Sequence, residues 1–271
     1  MVKNASSFSR LDAAREQAPR TGSEWADRFA LKKAIAKQIA KRALLFCGLD
    51  VRRRLPHRRM FQWLEQYNIN TVIDIGANTG DFAVMMHGVL PRATVYAFEP
   101  LQECYDRLVA NMAGIKSSEA FPFALGDSET RADIRRSSYS PASSFLRFSE
   151  LLHATFPYTT DCTLQPVRVR CLDTVAREDL KLVDNVLIKI DVQGYEDKVI
   201  AGGLDTISRA AVLVVETCFC ELYEGQPLFP AIYESLVRLG FSYGGSLEQT
   251  TNPVDGRVMW SDSVFVRKQL P

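Results

Sequence analysis

Three stretches of this 271-residue chain carry residue types at spacings suited to chemistry. In VIDIGANTGDFA, residues 72–83, an apolar run ends in Asp74, Gly76 and Gly80 bracket a tight turn, and a helical pattern follows. Glycine there admits positive φ and lets backbone approach a ligand closely, while a helix start offers free N–H groups. Asp74 at a strand tip attracts a cation. The next apolar run ends in Glu99, 23 residues after Gly76 and just before Pro100. An acid at that place accepts hydrogen bonds from both hydroxyls of a ribose. In IKIDVQGYE, residues 188–196, Lys189 and Asp191 are two apart on a strand pattern and project to one face. Asp191 is thereby a candidate general base for a substrate hydroxyl, with Lys189 orienting it. Glu196 and Glu216 fall near the same strand ends and suit substrate hydroxyls. Three of these residues also have a purely structural reading: Asp191 as a helix cap, Glu196 as a first-turn acid favoured by the helix dipole, Lys189 as an ion-pair partner.

Several chemistries are disfavoured. The spacing D-x-G-x-x-x-G departs from the dinucleotide fingerprint, whose second glycine would fall at Asn78, and no G-x-x-x-x-G-K-[ST] occurs. Both a nicotinamide oxidoreductase and a nucleotide hydrolase lose ground. Cys47, Cys104, Cys162, Cys171, Cys218 and Cys220 are scattered, and His57, His87 and His153 share no ligand spacing, so no metal site is assigned. Scattered thiols suit a reducing compartment. No stretch lacking Asp, Glu, Lys and Arg runs beyond 10 residues, against about 20 for a spanning helix. MVKNASSFSR has no basic-then-apolar leader pattern, and the expected location is cytoplasmic.

The elements that must hold these residues alternate between apolar runs and helical patterns, which predicts an α/β fold with a mainly parallel sheet. Strands are expected at 71–75, 93–98, 119–124, 186–190, 211–216 and 263–267, and helices at 80–90, 100–113, 195–201 and 228–239. Pro122 inside a strand argues for a sheet edge, because proline cannot donate to a ladder. Residues 128–170 exceed an ordinary crossover and are expected to form a lid or substrate wall.

The formal charge of +1 hides a division. Residues 1–60 carry 15 Lys/Arg against 5 Asp/Glu, and residues 61–271 carry 18 against 27. The sequence therefore predicts a basic extension, 1–60, on an acidic domain, 61–271. The extension reads as a polar tail, then a basic amphipathic helix over 24–47 with Trp25, Phe29 and Phe46 on its stripe, then the Arg52–Arg59 cluster leading into a helix carrying Met60, Phe61, Trp63, Leu64 and Tyr67. Two readings stand for it: peripheral contact with an anionic membrane through residues 24–59, or docking of the stripe on the domain. The acidic body offers no extended basic groove for nucleic acid. The sequence assigns no oligomeric state.

With these motifs in hand, the chain resembles class I S-adenosylmethionine-dependent methyltransferases, and IKIDVQGYEDKVIAGG, 188–203, resembles the hallmark of the FkbM family. ALGD at 124–127, ASSF at 142–145, VRVRCLDTV at 167–175 and VVET at 214–217 match further, over residues 70–268 in all. One departure is Gln193, where many relatives have Glu. The resemblance implies a Rossmann-like fold with a mostly parallel seven-stranded sheet of order 3-2-1-4-5-7-6, helices on both faces, and the N-terminal helical extension outside it. It further implies O-methylation of a small hydroxylated acceptor (a sugar, glycolipid or secondary metabolite) with S-adenosylmethionine as cofactor. Carried over by position, Asp74, Gly76, Ala77, Asn78 and Gly80 would cradle the methionine part, Glu99 beside Pro100 the ribose, and Leu125, Gly126 and Asp127 the adenine. Asp191 would stand where donor and acceptor meet, Lys189 and Glu196 beside it, with Ser143, Ser144 and Glu216 contacting the acceptor. A non-catalytic module of the same fold, binding the cofactor or a membrane surface, is the alternative.

Overall fold

A computed structural model describes residues 60–159 and 161–268, all within one compact unit, residues 56–271. The predicted helix over 24–47, the Arg52–Arg59 cluster and the membrane-contacting segment 24–59 lie outside the described residues.

Seven strands make the central sheet: β1 (Thr71–Ile75), β2 (Thr94–Phe98), β3 (Ser118–Phe121), β7 (Val186–Ile190), β8 (Ala210–Cys218), β9 (Phe241–Thr251) and β10 (Val258–Arg267). Their spatial order is β3-β2-β1-β7-β8-β10-β9, which is the expected 3-2-1-4-5-7-6. The first five run parallel, and β10 and β9 close the sheet antiparallel. All five β1 residues are buried, as a central strand covered on both faces demands.

Alternation along the strands sorts the core into two layers. Ile73, Ile75, Phe98, Ile188, Ile190 and Leu213 pack with α4 (Leu172–Glu178), α5 (Glu196–Ala201), α6 (Leu204–Ser208) and α7 (Phe229–Arg238). Val72, Val95, Leu187, Val212 and Val214 pack with α1 (Asp81–Val89) and α2 (Gln102–Met112). This alternation places Asp74 and Lys189, which are register partners on β1 and β7, side by side on the second layer's face. Glu216, two residues past Val214 on β8, takes that face too, with Asp262 of β10 as its register partner.

Three local expectations need correction. The segment 119–124 is not one strand: β3 stops at Phe121, Pro122 interrupts the chain, and β4 (Ala124–Gly126) joins a separate three-stranded sheet with β6 (Cys162–Cys171) and β5 (Thr130–Ser137). β3 is an edge strand, but Pro122 lies just past it rather than within it. The segment around Met60 forms a 3-10 helix, Gln62–Tyr67, closed by Asn68 at φ 47°. Finally, β9 carried no strand signal. Its sequence FSYGGSLEQTT buries only Phe241 fully, because an outer strand has one solvated side.

The segment 128–170 supplies β5, most of β6, a 3-10 turn (Ser140–Ala142), α3 (Glu150–Thr155) and a second 3-10 turn (Pro157–Thr159). Ser149 caps α3, its hydroxyl accepting from the Leu152 N–H.

Candidate active site

A cavity of about 360 Å³ opens at the carboxyl ends of β1, β2, β7 and β8. Its location follows from topology, since the strand order reverses beside β1 and leaves a crevice outside the strand ends.

The turn after β1 forms one flank. Gly76 has φ 80°, and a Cβ there would sit 1.9 Å from the Asp191 carbonyl oxygen, so only glycine lets the β1 and β7 ends close together. Gly76 and Asn78 line the cavity, whereas Ala77 is buried behind it and Gly80 packs against Leu108. Four N–H groups of this turn are already engaged. Gly76 and Ala77 donate to the Phe98 carbonyl, Asn78 donates to Glu99 at 2.9 Å, and Gly80 donates to Ala77. The turn thus serves by shape and close approach rather than as an anion nest.

Glu99 lines the cavity at 5% exposure, its carboxylate accepting from the Asn78 and Leu101 amides. Burial pushes its pKa up to about 7 against the pull of those amides. Two donors leave lone pairs over for ligand hydroxyls. Pro100 and Leu125 stand beside it in the wall. Gly126 lies behind, against Val169 and Tyr195. Asp127 departs from expectation: its carboxylate pairs with Lys198 at 3.0 Å on the surface, and it lies outside the cavity lining.

Beneath the floor lies a cluster of acids around one cation. Asp74 is fully buried, its carboxyl group facing the Ala83 amide and the Lys189 ammonium. Burial raises its pKa to about 6, with Lys189 opposing and Asp191 adding to the rise. The Lys189 ammonium reaches Asp191 Oδ2 at 2.9 Å and Asp74 Oδ1 at 3.9 Å, and stands 5.5 Å from the Phe82 ring centre. Burial works against that ammonium, but Asp191 and Asp74 outweigh it and hold its pKa above the ordinary lysine value. Asp262 is raised to about 6, by burial first and then by Asp191.

Asp191, Gln193 and Glu216 line the cavity together. Gln193 Nε2 donates to Asp191 Oδ1 at 2.7 Å and to Glu216 Oε1 at 2.8 Å, and Gln193 Oε1 accepts from the Tyr223 hydroxyl at 2.7 Å. Sequence reading marked Gln193 only as a departure. Glu196 and Ser144 stand apart from the cavity and hold this loop instead. Glu196 accepts from the Val192 and Gly194 amides at 3.1 Å each, and burial raises its pKa to about 7. The Ser144 hydroxyl donates to the Gln193 carbonyl at 2.6 Å, fixing Gln193 in its left-handed conformation at φ 55°. Ser143 does line the cavity, its hydroxyl accepting from the Ser137 amide.

The opposite wall is aromatic. Tyr139, Phe145, Phe156, Tyr158 and Trp260 line it, with Phe156 edge-on to both Tyr158 and Trp260. ASSF and the expected wall 128–170 pointed here, since Tyr139, Phe145, Phe156 and Tyr158 all come from that segment; Trp260 gave no signal, since a lone aromatic reads as core.

Residues 74–243 match the model of the methyltransferase FkbM domain. The chain belongs to the FkbM methyltransferase family. Among curated FkbM relatives it is similar to 2-O-methyltransferase NoeI of Sinorhizobium fredii (strain NBRC 101917 / NGR234), 30% identical over 187 residues, 66% of this chain and 76% of NoeI. It is also similar to methyltransferase sdnD of Sordaria araneosa, 26% identical over 194 residues, 63% of this chain and 73% of sdnD. The solved FkbM methyltransferase of Methylobacillus flagellatus KT aligns with a TM-score of 0.45 at 14% identity, over 73% of this chain; the chain spans 44% of that protein. The family's cofactor is S-adenosylmethionine. The site fits a cationic, ribose-bearing molecule: Glu99 keeps acceptor capacity at the cavity wall, and Asp191 and Glu216 place two further carboxyl groups on the same lining.

Among the described residues no helix is long and apolar enough to cross a membrane, and no trio of His, Cys, Asp or Glu is placed to hold a metal ion.

Proposed function

We propose that this FkbM methyltransferase transfers a methyl group from S-adenosylmethionine to a hydroxyl of a small acceptor, of the sugar, glycolipid or secondary-metabolite class. The carrying observation is that Glu99, Asp191 and Glu216 share one cavity whose far wall is aromatic. The similarity to a 2-O-methyltransferase supports the same reading.

In this reading Gly76 and Asn78 face the methionine part, and Asp74, Ala77 and Gly80 shape the cradle from behind. Glu99 beside Pro100 binds the ribose, and Leu125 backed by Gly126 flanks the adenine, with Asp127 and Lys198 as an outer rim. Bound there, S-adenosylmethionine supplies an electrophilic methyl group on a cationic sulfur. The acid cluster favours that charge, and its single cation, Lys189, is tied to Asp191. Asp191 stands at the junction with the acceptor, and Ser143, Glu216 and the aromatic wall take the acceptor itself. Ser144 and Glu196 hold the loop that carries Gln193. Holding both reactants in line accounts for up to about 7 to 11 kcal/mol of barrier lowering.

Residues 61–271 are the catalytic domain in this proposal, acting in the cytoplasm, with 24–59 touching anionic lipid. Five free cysteines among the described residues suit that location. Thermal shift and calorimetry with S-adenosylmethionine, S-adenosylhomocysteine and NADH test the cofactor: the first two bind and NADH does not. Transfer of a tritiated methyl group to a panel of methyl and alkyl glycosides, polyols and macrolactones tests the acceptor class, and no labelled product from any of them sinks it. Cosedimentation with anionic vesicles, with and without residues 1–60, checks the lipid contact.

A further inference from the structure

Asp191 and Glu216 share the cavity floor but are not equivalent. Both Asp191 oxygens are engaged, Oδ2 by the Lys189 ammonium at 2.9 Å and Oδ1 by Gln193 at 2.7 Å. A carboxylate paired with an ammonium holds an added proton weakly and is a poor base. Glu216 has no cation in hydrogen-bond contact. Its Oε1 accepts one N–H from the neutral Gln193 amide, and the structure shows no hydrogen bond to Oε2.

The Gln193 amide is oriented without ambiguity. Both of its hydrogens go to carboxylates and its oxygen accepts from Tyr223, whereas the flipped amide would set an oxygen against two carboxylates. Gln193 therefore fixes one edge of Glu216 and leaves the other open.

We propose that Glu216, positioned by the Gln193 amide, takes the proton of the acceptor hydroxyl. The inference deepens the methyl-transfer reading above and rests on it. As the proton passes to Glu216, the O–H electron pair stays on the acceptor oxygen. That oxygen bonds the methyl carbon while the carbon–sulfur pair returns to sulfur, leaving a methyl ether, a neutral thioether and a glutamic acid. Asp191 then keeps the Lys189 charge in place.

The groups facing Glu216 are Lys189 on β7 and Asp191 just past its end, Glu196 on α5, Asp262 on β10, Cys218 on β8 itself and Tyr223 in the loop beyond. Burial raises its pKa well above the usual glutamate range, Asp191, Glu196 and Asp262 add to this, and Lys189 opposes it. A sulfonium cation in the cavity acts in the same sense as Lys189 and favours the carboxylate, the form a base requires. The thioether carries no such charge.

The test needs no acceptor. Calorimetry in buffers of different ionisation enthalpy, at about pH 8, counts protons released on binding S-adenosylmethionine and S-adenosylhomocysteine. That pH lies above the values near 6 and 7 of Asp74, Asp262, Glu99 and Glu196. The cationic ligand is expected to release more protons than the neutral one, and Glu216→Gln to abolish the difference while still binding both. A difference that persists undiminished in Glu216→Gln overturns the proposal. Failure of the wild-type protein to bind either ligand overturns the methyl-transfer reading itself, a separate result. If Glu216→Gln does not bind S-adenosylhomocysteine, Gln193→Met carries the test: loss of the amide donors moves the pH of half-maximal difference upwards, and no movement overturns the assignment. With an acceptor in hand, Glu216→Gln lowers kcat by about 10²- to 10⁴-fold.

Discussion

The two walls of the cavity are built in opposite ways. The wall at the ends of β1, β2 and β7 comes from short loops locked by backbone hydrogen bonds, with its acids buried over the main core. The facing wall is side chain from several distant segments. Phe156, Trp260, Leu222 and Tyr223 belong to a separate hydrophobic cluster, and Tyr139 and Tyr158 are 49% and 61% exposed. A wall fixed by backbone holds atoms at set positions, whereas one made of exposed rings gives surface and shape. We therefore assign the first to the cofactor and the second to the acceptor.

The widest separation between the walls is expected in their response to pH. Asp74, Asp262, Glu99 and Glu196 bind protons more tightly folded than unfolded, with folded values of about 6, 6, 7 and 7. Their stabilising effect is complete below the unfolded values near 4 and is lost as pH rises through 6 to 7. For Asp74 alone the shift corresponds to on the order of 3 kcal/mol. The melting temperature should fall over pH 4.5 to 7.5 and do so less steeply in Asp74→Asn, while an aromatic-wall variant such as Trp260→Ala keeps the wild-type slope. Equal slopes in all three proteins would break the comparison.

Next comes Gly76→Ala. Its Cβ has no room beside the Asp191 carbonyl, and a positive φ adds strain, together about 2 to 5 kcal/mol in urea unfolding. Cofactor binding should disappear with it. Glu99→Gln removes a charged acceptor and should weaken S-adenosylmethionine by about 1.5 to 3 kcal/mol, roughly 10- to 100-fold in calorimetry. Trp260→Ala is the reciprocal probe: cofactor affinity within about threefold of wild type and KM for the acceptor raised about tenfold, near 1.4 kcal/mol. A loss of cofactor affinity in that variant would merge the two walls into one. The smallest effect belongs to Asp127→Ala. Its ion pair with Lys198 is surface-exposed, so stability changes by less than about 1 kcal/mol and cofactor affinity holds.

What was legible in the sequence was what is local. The turn Gly76–Gly80, the acid at the end of each strand, and the Lys189–Asp191 pair follow from strand period and glycine placement, because each depends on residues within a few positions of one another. The parallel sheet was legible for the same reason, through apolar runs at β1, β7 and β8. Where the local rule met a choice of partner, it failed. EAFPFA reads as one strand, yet Phe121 pairs with Phe98 and Ala124 with Val169, in two different sheets.

By itself, then, the sequence determined the alternation of strands and helices and the residues that end the central strands, since hydrophobic period and turn chemistry act over short spans; the strand order was what the family resemblance implied. Tertiary structure alone decided which acids face the cavity. It turned Asp127 outwards to Lys198, set Ser144 and Glu196 to hold a loop, and brought Gln193 between Asp191 and Glu216 with Tyr223 behind it. It also assembled the aromatic wall from Tyr139 to Trp260. Apart from the Glu196 contacts and the Gln193–Asp191 hydrogen bond, which stay within one loop, these span tens of residues, are fixed by strand register and by which layers pack, and no local pattern encodes them.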